Sequence, residues 1–162
     1  MSVSSLLFGR RPAVTLIRIM VLIAVSYITF GFLLLPVRGE GISMLPTFRG
    51  GQLGFVSTLA YLRTPPRRGD IIGIRMAGPR VMYVKRIIGL PGERLSIADG
   101  VVQVDGVPLA EPYANGGSTW NLAEVRLGPD EFFVVGDNRR MAIQNHDLGM
   151  ARRDRIVGKV LF

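Results

Sequence analysis

Ser43 and Lys85 are the two residues whose types and surroundings suit covalent chemistry. Ser43 lies in GISMLPTF (41–48), with Gly41 before it and Pro46 after it. Such a loop exposes a hydroxyl and can aim a backbone N–H at a developing oxyanion. Lys85 follows 42 positions later, inside YVKRIIGLPGE (83–93). In a strand, Val81, Tyr83, Lys85 and Ile87 share one face, and Val84, Arg86 and Ile88 share the other. Lys85 then sits among large apolar side chains, where the ammonium is disfavoured and the pKa falls. A neutral lysine can deprotonate a serine hydroxyl, which points to acyl transfer through a covalent serine intermediate. A third segment, VVGDNRR (134–140), is a strand running into a turn, with Asp137 and Asn138 as ordinary turn residues. Each segment taken alone also fits a plain loop, a lysine whose stem packs on a sheet, or a turn. Their order and spacing carry the chemistry.

Composition removes most rivals. The chain of 162 residues has no cysteine and a single histidine, His146. A disulfide framework, a cysteine nucleophile, a thiolate zinc site and a His-rich metal site are excluded. A Ser-His-Asp triad would require His146 itself, and no cofactor or metal is expected. The net charge is +8, yet the basic residues are scattered in pairs such as Arg10–Arg11, Arg67–Arg68, Arg139–Arg140 and Arg152–Arg153. No nucleic-acid motif accompanies them, so anionic membrane lipid is the expected partner.

The elements that must position these residues are also legible. Residues 13–35 form an apolar run of 23 residues whose one charge is Arg18. As a helix it is ~34 Å long, enough for a hydrocarbon core of ~30 Å, with Arg18 able to snorkel near its start. A cleavable signal peptide is the alternative. Its apolar region is usually ~7–15 residues and ends in small residues, whereas LLLPVRGEG lacks that pattern, so an uncleaved anchor is expected. Arg10, Arg11 and Arg18 favour a cytoplasmic N-terminus. The chain divides into a cytoplasmic segment (1–12), a transmembrane helix (13–35) and a catalytic domain (36–162) outside the cytoplasm.

Beyond the anchor the pattern is mainly β. Strands are expected at 52–57, 70–76, 81–88, 94–98, 101–104, 131–137 and 155–161, all rich in Val, Ile, Phe and Tyr. Asp99–Gly100 marks a two-residue hairpin, Ala77 to Arg80 another tight turn, and 111–123 a polar loop. An antiparallel β domain follows.

At this point the sequence resembles type I signal peptidases, which remove signal peptides from exported proteins. Their nucleophile box resembles SMLPTF (43–48), and their RGD box resembles Arg68-Gly69-Asp70-Ile71-Ile72. Their lysine box resembles residues 83–93, and their GDNR box resembles Gly136-Asp137-Asn138-Arg139, with Gly149 and Ile156-Val157-Gly158-Lys159 behind it. The resemblance implies an antiparallel β-sheet catalytic domain of signal-peptidase type with one N-terminal transmembrane helix. It also implies a bacterial inner-membrane enzyme whose catalytic domain faces the periplasm and whose substrates are preproteins. Ser43 is then the nucleophile and an oxyanion donor through its N–H, and Lys85 is the base. Met44, Tyr83 and Val84 line the cleft, while Asp137, Asn138 and Arg139 support the site. The family cuts after small residues at the first and third positions before the bond.

Two departures from the family pattern matter. Many members carry a serine where this chain has Gly41. The serine expected to hold the lysine falls on Ala142, and a supporting Asp/Arg pair falls on Gln144 and His146. Asn145 or a water is left to orient Lys85, and His146 either replaces the arginine structurally or acts as a base. The alternatives are a processing peptidase with few substrates, of pilin-maturation type, and a catalytically impaired membrane-tethered homologue. A self-cleaving repressor-type protease is disfavoured by the anchor.

Overall fold

The computed structural model describes residues 12–75, 82–146 and 148–162. Residues 1–11 of the N-terminal segment, Met76, the expected turn from Ala77 to Arg80, and Val81 lie outside the described residues.

The apolar run forms helix α1 (Pro12–Ile28), which continues as a π-type segment through Thr29–Leu33. Ala13–Leu33 is long and apolar enough to cross a membrane, with mean hydropathy 2.2 and none of its most apolar window buried against the protein. Leu34 and Leu35 do not continue the helix. They open strand β1 (Leu34–Arg38), which pairs antiparallel with β2 (Leu53–Ser57).

The remaining strands are β3 (Ile71–Arg75), β4 (Met82–Gly89), β5 (Arg94–Ala98), β6 (Val101–Val104), β7 (Val107–Pro108), β8 (Leu122–Arg126), β9 (Glu131–Val135), β10 (Gly149–Arg152) and β11 (Ile156–Leu161). They form a seven-stranded sheet in the order β1-β2-β11-β3-β4-β9-β10 and a four-stranded sheet in the order β7-β6-β5-β8. Every strand pairing is antiparallel. The mainly β, antiparallel architecture is therefore as the sequence indicates.

The β5–β6 hairpin turns on Asp99 and Gly100, with φ of 47° and 79°. Two successive positive φ values are what a type I′ turn needs, and Asp-Gly supplies them at low cost. The expected loop 111–123 needs correction at its end, because Leu122 and Ala123 belong to β8 against β5.

Three apolar clusters hold the sheets. Leu95, Ile97, Val102, Trp120 and Leu127 centre the smaller sheet, where Ile88 and Val135 meet it. Ile72, Ile87, Phe132 and Val134 fill one face of the larger sheet. Val37, Met44, Phe48, Val56 and Ile71 fill the other. Each fully buried aliphatic contributes ~1.5–3 kcal/mol of transfer free energy, which fixes the strands on which the polar site is built.

The Arg68-Gly69-Asp70 turn locks β4 from the side. The Gly69 N–H donates to the Ile87 carbonyl at 2.8 Å, and Arg68 donates to the Ile88 carbonyl. Asp70 accepts from Lys159 Nζ at 2.6 Å and Tyr61 Oη at 3.0 Å. Burial would raise the Asp70 carboxyl, but these donors and the Arg67 N–H outweigh it and hold it below the usual carboxylate value. Burial, with Asp70 beside it, pushes the Tyr61 hydroxyl well above its ordinary value.

Candidate active site

Residues 39–52 leave β1, cross the sheet as a turn-rich loop and return as β2. Within the loop Gly41 takes φ of 77° and the Leu45–Pro46 peptide is cis. Met44 and Phe48 are buried at 4% and 3% exposure and peg the loop into the apolar cluster below. Ser43, directly before the first peg, is thereby held at the rim of a cleft of about 600 Å³.

Lys85 enters the same cleft from β4. It lies opposite Ile72 in register and between Tyr83 and Ile87 on one face of the strand. It is only 3% exposed, and its Nζ lies 3.0 Å from Ser43 Oγ, joined by a hydrogen bond. An amine at that distance can take the hydroxyl proton directly, without a relay. Tyr83, Val84, Met44, Met82, Met141 and Asn145 line the cleft. β9 pairs with β4 only from Arg86 onward. Among the described residues, Met82 to Lys85 therefore present one backbone edge that no strand covers.

The GDNR turn grips the serine loop. The Asn138 N–H donates to the Ser43 carbonyl at 2.9 Å, and its side-chain amide donates to the Ile42 carbonyl at 3.0 Å. Gly136 is required for this approach: a Cβ there would lie 2.1 Å from the Ser43 carbonyl oxygen. Asp137, fully buried, accepts from Thr47 Oγ1 and from two nitrogens of Arg86, at 2.8 and 2.6 Å. Arg86 also donates to the Gly69 carbonyl at 2.7 Å, tying the RGD turn to the same carboxylate. Burial opposes the charge on Arg86, but the Asp137 carboxylate outweighs it and holds the guanidinium above its ordinary pKa.

Arg139, 2% exposed, donates to the Gly136 carbonyl at 3.0 Å and pairs with Glu111. Glu111 also accepts from Tyr113 Oη at 3.2 Å, and the Tyr113 ring lies 3.9 Å from the Arg86 guanidinium. Burial first, and Glu111 second, push the Tyr113 hydroxyl above its usual value. Trp120 donates to the Met141 carbonyl at 2.8 Å and meets the His146 ring edge-on at 4.8 Å. His146 is 5% exposed, and a Cβ on Gly136 would lie 2.6 Å from its Cε1.

The structure thus brings together Ser43, Lys85, Met44, Tyr83 and Val84, with Asp137, Asn138 and Arg139 directly behind them. Arg86, Thr47, Glu111, Tyr113 and Trp120 are supports that sequence reasoning missed. The lone tryptophan in a Gly/Ser/Asn-rich stretch was the available signal for the last of them.

A family model described as signal peptidase, peptidase S26, matches residues 13–162. The chain belongs to the signal peptidase family. That family is one of serine peptidases. Among relatives, signal peptidase I of Bacillus caldolyticus is 39% identical over 137 residues, 76% of this chain and 75% of that protein. Signal peptidase I T of Bacillus subtilis (strain 168) is 34% identical over 81% of this chain and 74% of its own length. Signal peptidase I of Leptolyngbya laminosa is 34% identical over 74% of this chain, which spans 63% of that relative. A solved signal peptidase I from Enterococcus faecalis V583 aligns at TM-score 0.49 and 25% identity, over 59% of this chain and 97% of that one.

Proposed function

We propose that this chain is a membrane-anchored serine endopeptidase that removes N-terminal signal peptides from exported preproteins through a Ser43–Lys85 dyad. The 3.0 Å hydrogen bond between Lys85 Nζ and Ser43 Oγ carries the reading. The mechanism uses Lys85 as the neutral amine, the form that accepts a proton from a serine hydroxyl.

Lys85 takes the Ser43 proton as the hydroxyl oxygen attacks the scissile carbonyl. In this mechanism the Ser43 N–H stabilises the resulting oxyanion. Lys85 then returns the proton to the departing amine, which releases the mature protein and leaves the signal peptide esterified to Ser43. Water, deprotonated by Lys85, hydrolyses the ester. The substrate lies extended along the uncovered edge from Met82 to Lys85, as an added strand. Asp137, Asn138 and Arg139 hold the serine loop in place and do not react.

The exposed flank of Ala13–Leu33 requires an apolar surround, which a bilayer supplies. Arg10, Arg11 and Arg18 favour a cytoplasmic N-terminus, with the catalytic domain on the outer face of a bacterial inner membrane beside anionic lipid. Preproteins whose apolar segments already lie in the bilayer meet the cleft there.

Cleavage of a lipid-embedded preprotein panel, with Ser43→Ala beside the native chain, tests the reading. The native chain is expected to release mature N-termini and Ser43→Ala to release none. Equal release by the two would refute it. Cleavage of one precursor alone would assign a specialised processing role.

A further inference from the structure

Tyr83 and Lys85 line two cavities that meet at the uncovered edge of β4. The serine cleft is walled by Val37, Met44 and Phe48 of one apolar cluster. The second cavity, of about 430 Å³, is floored by Ile74 and Val134 of another. Strand β10, with Leu148 before it, forms its far wall. The mechanism above makes no use of this second space, although it reaches the base.

Charge marks the second cavity. Arg75, Arg152 and Arg155 line it, all three exposed, and none of the described lining residues is acidic. Asp154 accepts from Arg152 Nε at 3.4 Å, but those side chains are 67% and 64% exposed, so the pair is weak. An apolar floor rimmed by guanidinium groups suits a peptide segment that carries carboxylates.

The path of the substrate leads there. A strand added along Met82 to Lys85 comes to the end of the uncovered edge at Arg86, where β9 takes over the pairing. Residues beyond the scissile bond must therefore leave the plane of the sheet. On the serine side the way is closed by the serine loop and the GDNR turn, joined through Asn138. The second cavity lies on the other side. We propose that it receives the first residues of the mature protein, and that Arg75, Arg152 and Arg155 select acidic side chains there. Arg75 is the register partner of Met82, three residues from Lys85, or ~10 Å at strand spacing. The favoured carboxylates thus lie about two to four residues beyond the bond, clear of the amine that must stay neutral. This inference rests on the reading of the cleft as the peptidase site. Arg75 and Asp154 also line an opening beside Gly31 and Phe32, at the end of the apolar segment, which makes anionic lipid the rival ligand.

The test is kcat/KM on preproteins embedded in neutral phosphatidylcholine vesicles, with Glu, Gln or Lys at the second to fourth positions of the mature part. The native chain is expected to favour Glu over Lys by ~10-fold or more, as several exposed charge pairs together supply. High salt is expected to shrink that ratio. Changing Arg75, Arg152 and Arg155 together to Gln is expected to bring it near one. Arg75→Glu combined with Arg155→Glu is expected to reverse the preference, which a merely structural role would not do. Circular dichroism checks folding. If the triple variant does not fold, Arg75→Gln and Arg152→Gln singly decide by the same ratio. A native ratio near one overturns the proposal. So does a preference that survives neutralisation, which would belong to the overall charge of +8. Weakened binding to phosphatidylglycerol vesicles with an unchanged Glu/Lys ratio assigns the arginines to lipid and also overturns it. Cleavage that survives Ser43→Ala instead overturns the peptidase site itself, so the two failures are distinguishable.

Discussion

Lys85→Ala is expected to lower kcat on a lipid-embedded preprotein by ~10²–10⁴-fold, the range a positioned general base supplies. KM is expected to change little, because Nζ points at Ser43 Oγ rather than along the substrate edge. Lys85→Arg is the more demanding variant. It keeps the positive charge and a long side chain, but a guanidinium does not give up its proton in a protein. A lysine that merely held the loop through its charge would tolerate arginine. A base would not. Lys85→Arg is therefore expected to be as inactive as Lys85→Ala, with normal folding judged by circular dichroism. Native-like turnover by Lys85→Arg would remove Lys85 from the chemistry.

Arg86→Ala carries the largest expected cost in stability. Its partner Asp137 is fully buried and receives two of the Arg86 hydrogen bonds. Removing one member of a buried pair strands the other charge, at a cost of ~3–5 kcal/mol. The loss would also reach function, since Asp137 accepts from Thr47 in the serine loop and Arg86 fixes the Gly69 carbonyl. Denaturant unfolding of Arg86→Ala is expected to show a loss of that size. Arg86→Lys is expected to recover only part of it, because an ammonium cannot reproduce the two-pronged contact. A loss below ~1 kcal/mol for Arg86→Ala, typical of an ordinary surface change, would contradict the brace.

The proposed pairing of Ser43 with Lys85 was legible in the order and spacing of several segments, because each segment alone also fits an ordinary loop, strand or turn. The interior strands were legible as well, since β2, β3, β4, β5, β6, β9 and β11 carry runs of branched and aromatic side chains. The four strands that sequence patterning missed are β1, β7, β8 and β10, and each lies at a sheet edge. An edge strand has a partner on one side only and carries a weaker apolar signal. β1 even holds Pro36, tolerable at an edge because no second neighbour needs its N–H. Its leucines continue the apolar run of the helix, which hides the change from helix to strand at Leu34.

The braces were hidden for another reason. Arg86 and Asp137 are 51 positions apart, and Arg139 and Glu111 are 28 apart. An ion pair across such separations leaves no periodicity and no local composition change. Asn138 is ordinary turn chemistry in the sequence, yet it holds the carbonyls of Ile42 and Ser43, the first of them 96 positions away. Ala142 stands at the head of a short 3₁₀ turn, Ile143–Asn145, and Asn145 lines the cleft that contains Lys85. The departures at Ala142, Gln144 and His146 thus cluster in and beside this turn, while Gly41 lies two residues before Ser43 in the serine loop.

That contact is tested most directly by trapping the covalent intermediate. Preprotein is mixed with the native chain, quenched in acid within one turnover, digested and analysed by mass spectrometry. The account predicts a signal-peptide acyl group esterified to Ser43, and no adduct in Ser43→Ala. Cleavage with an adduct on another residue, or an adduct that persists in Ser43→Ala, would contradict it.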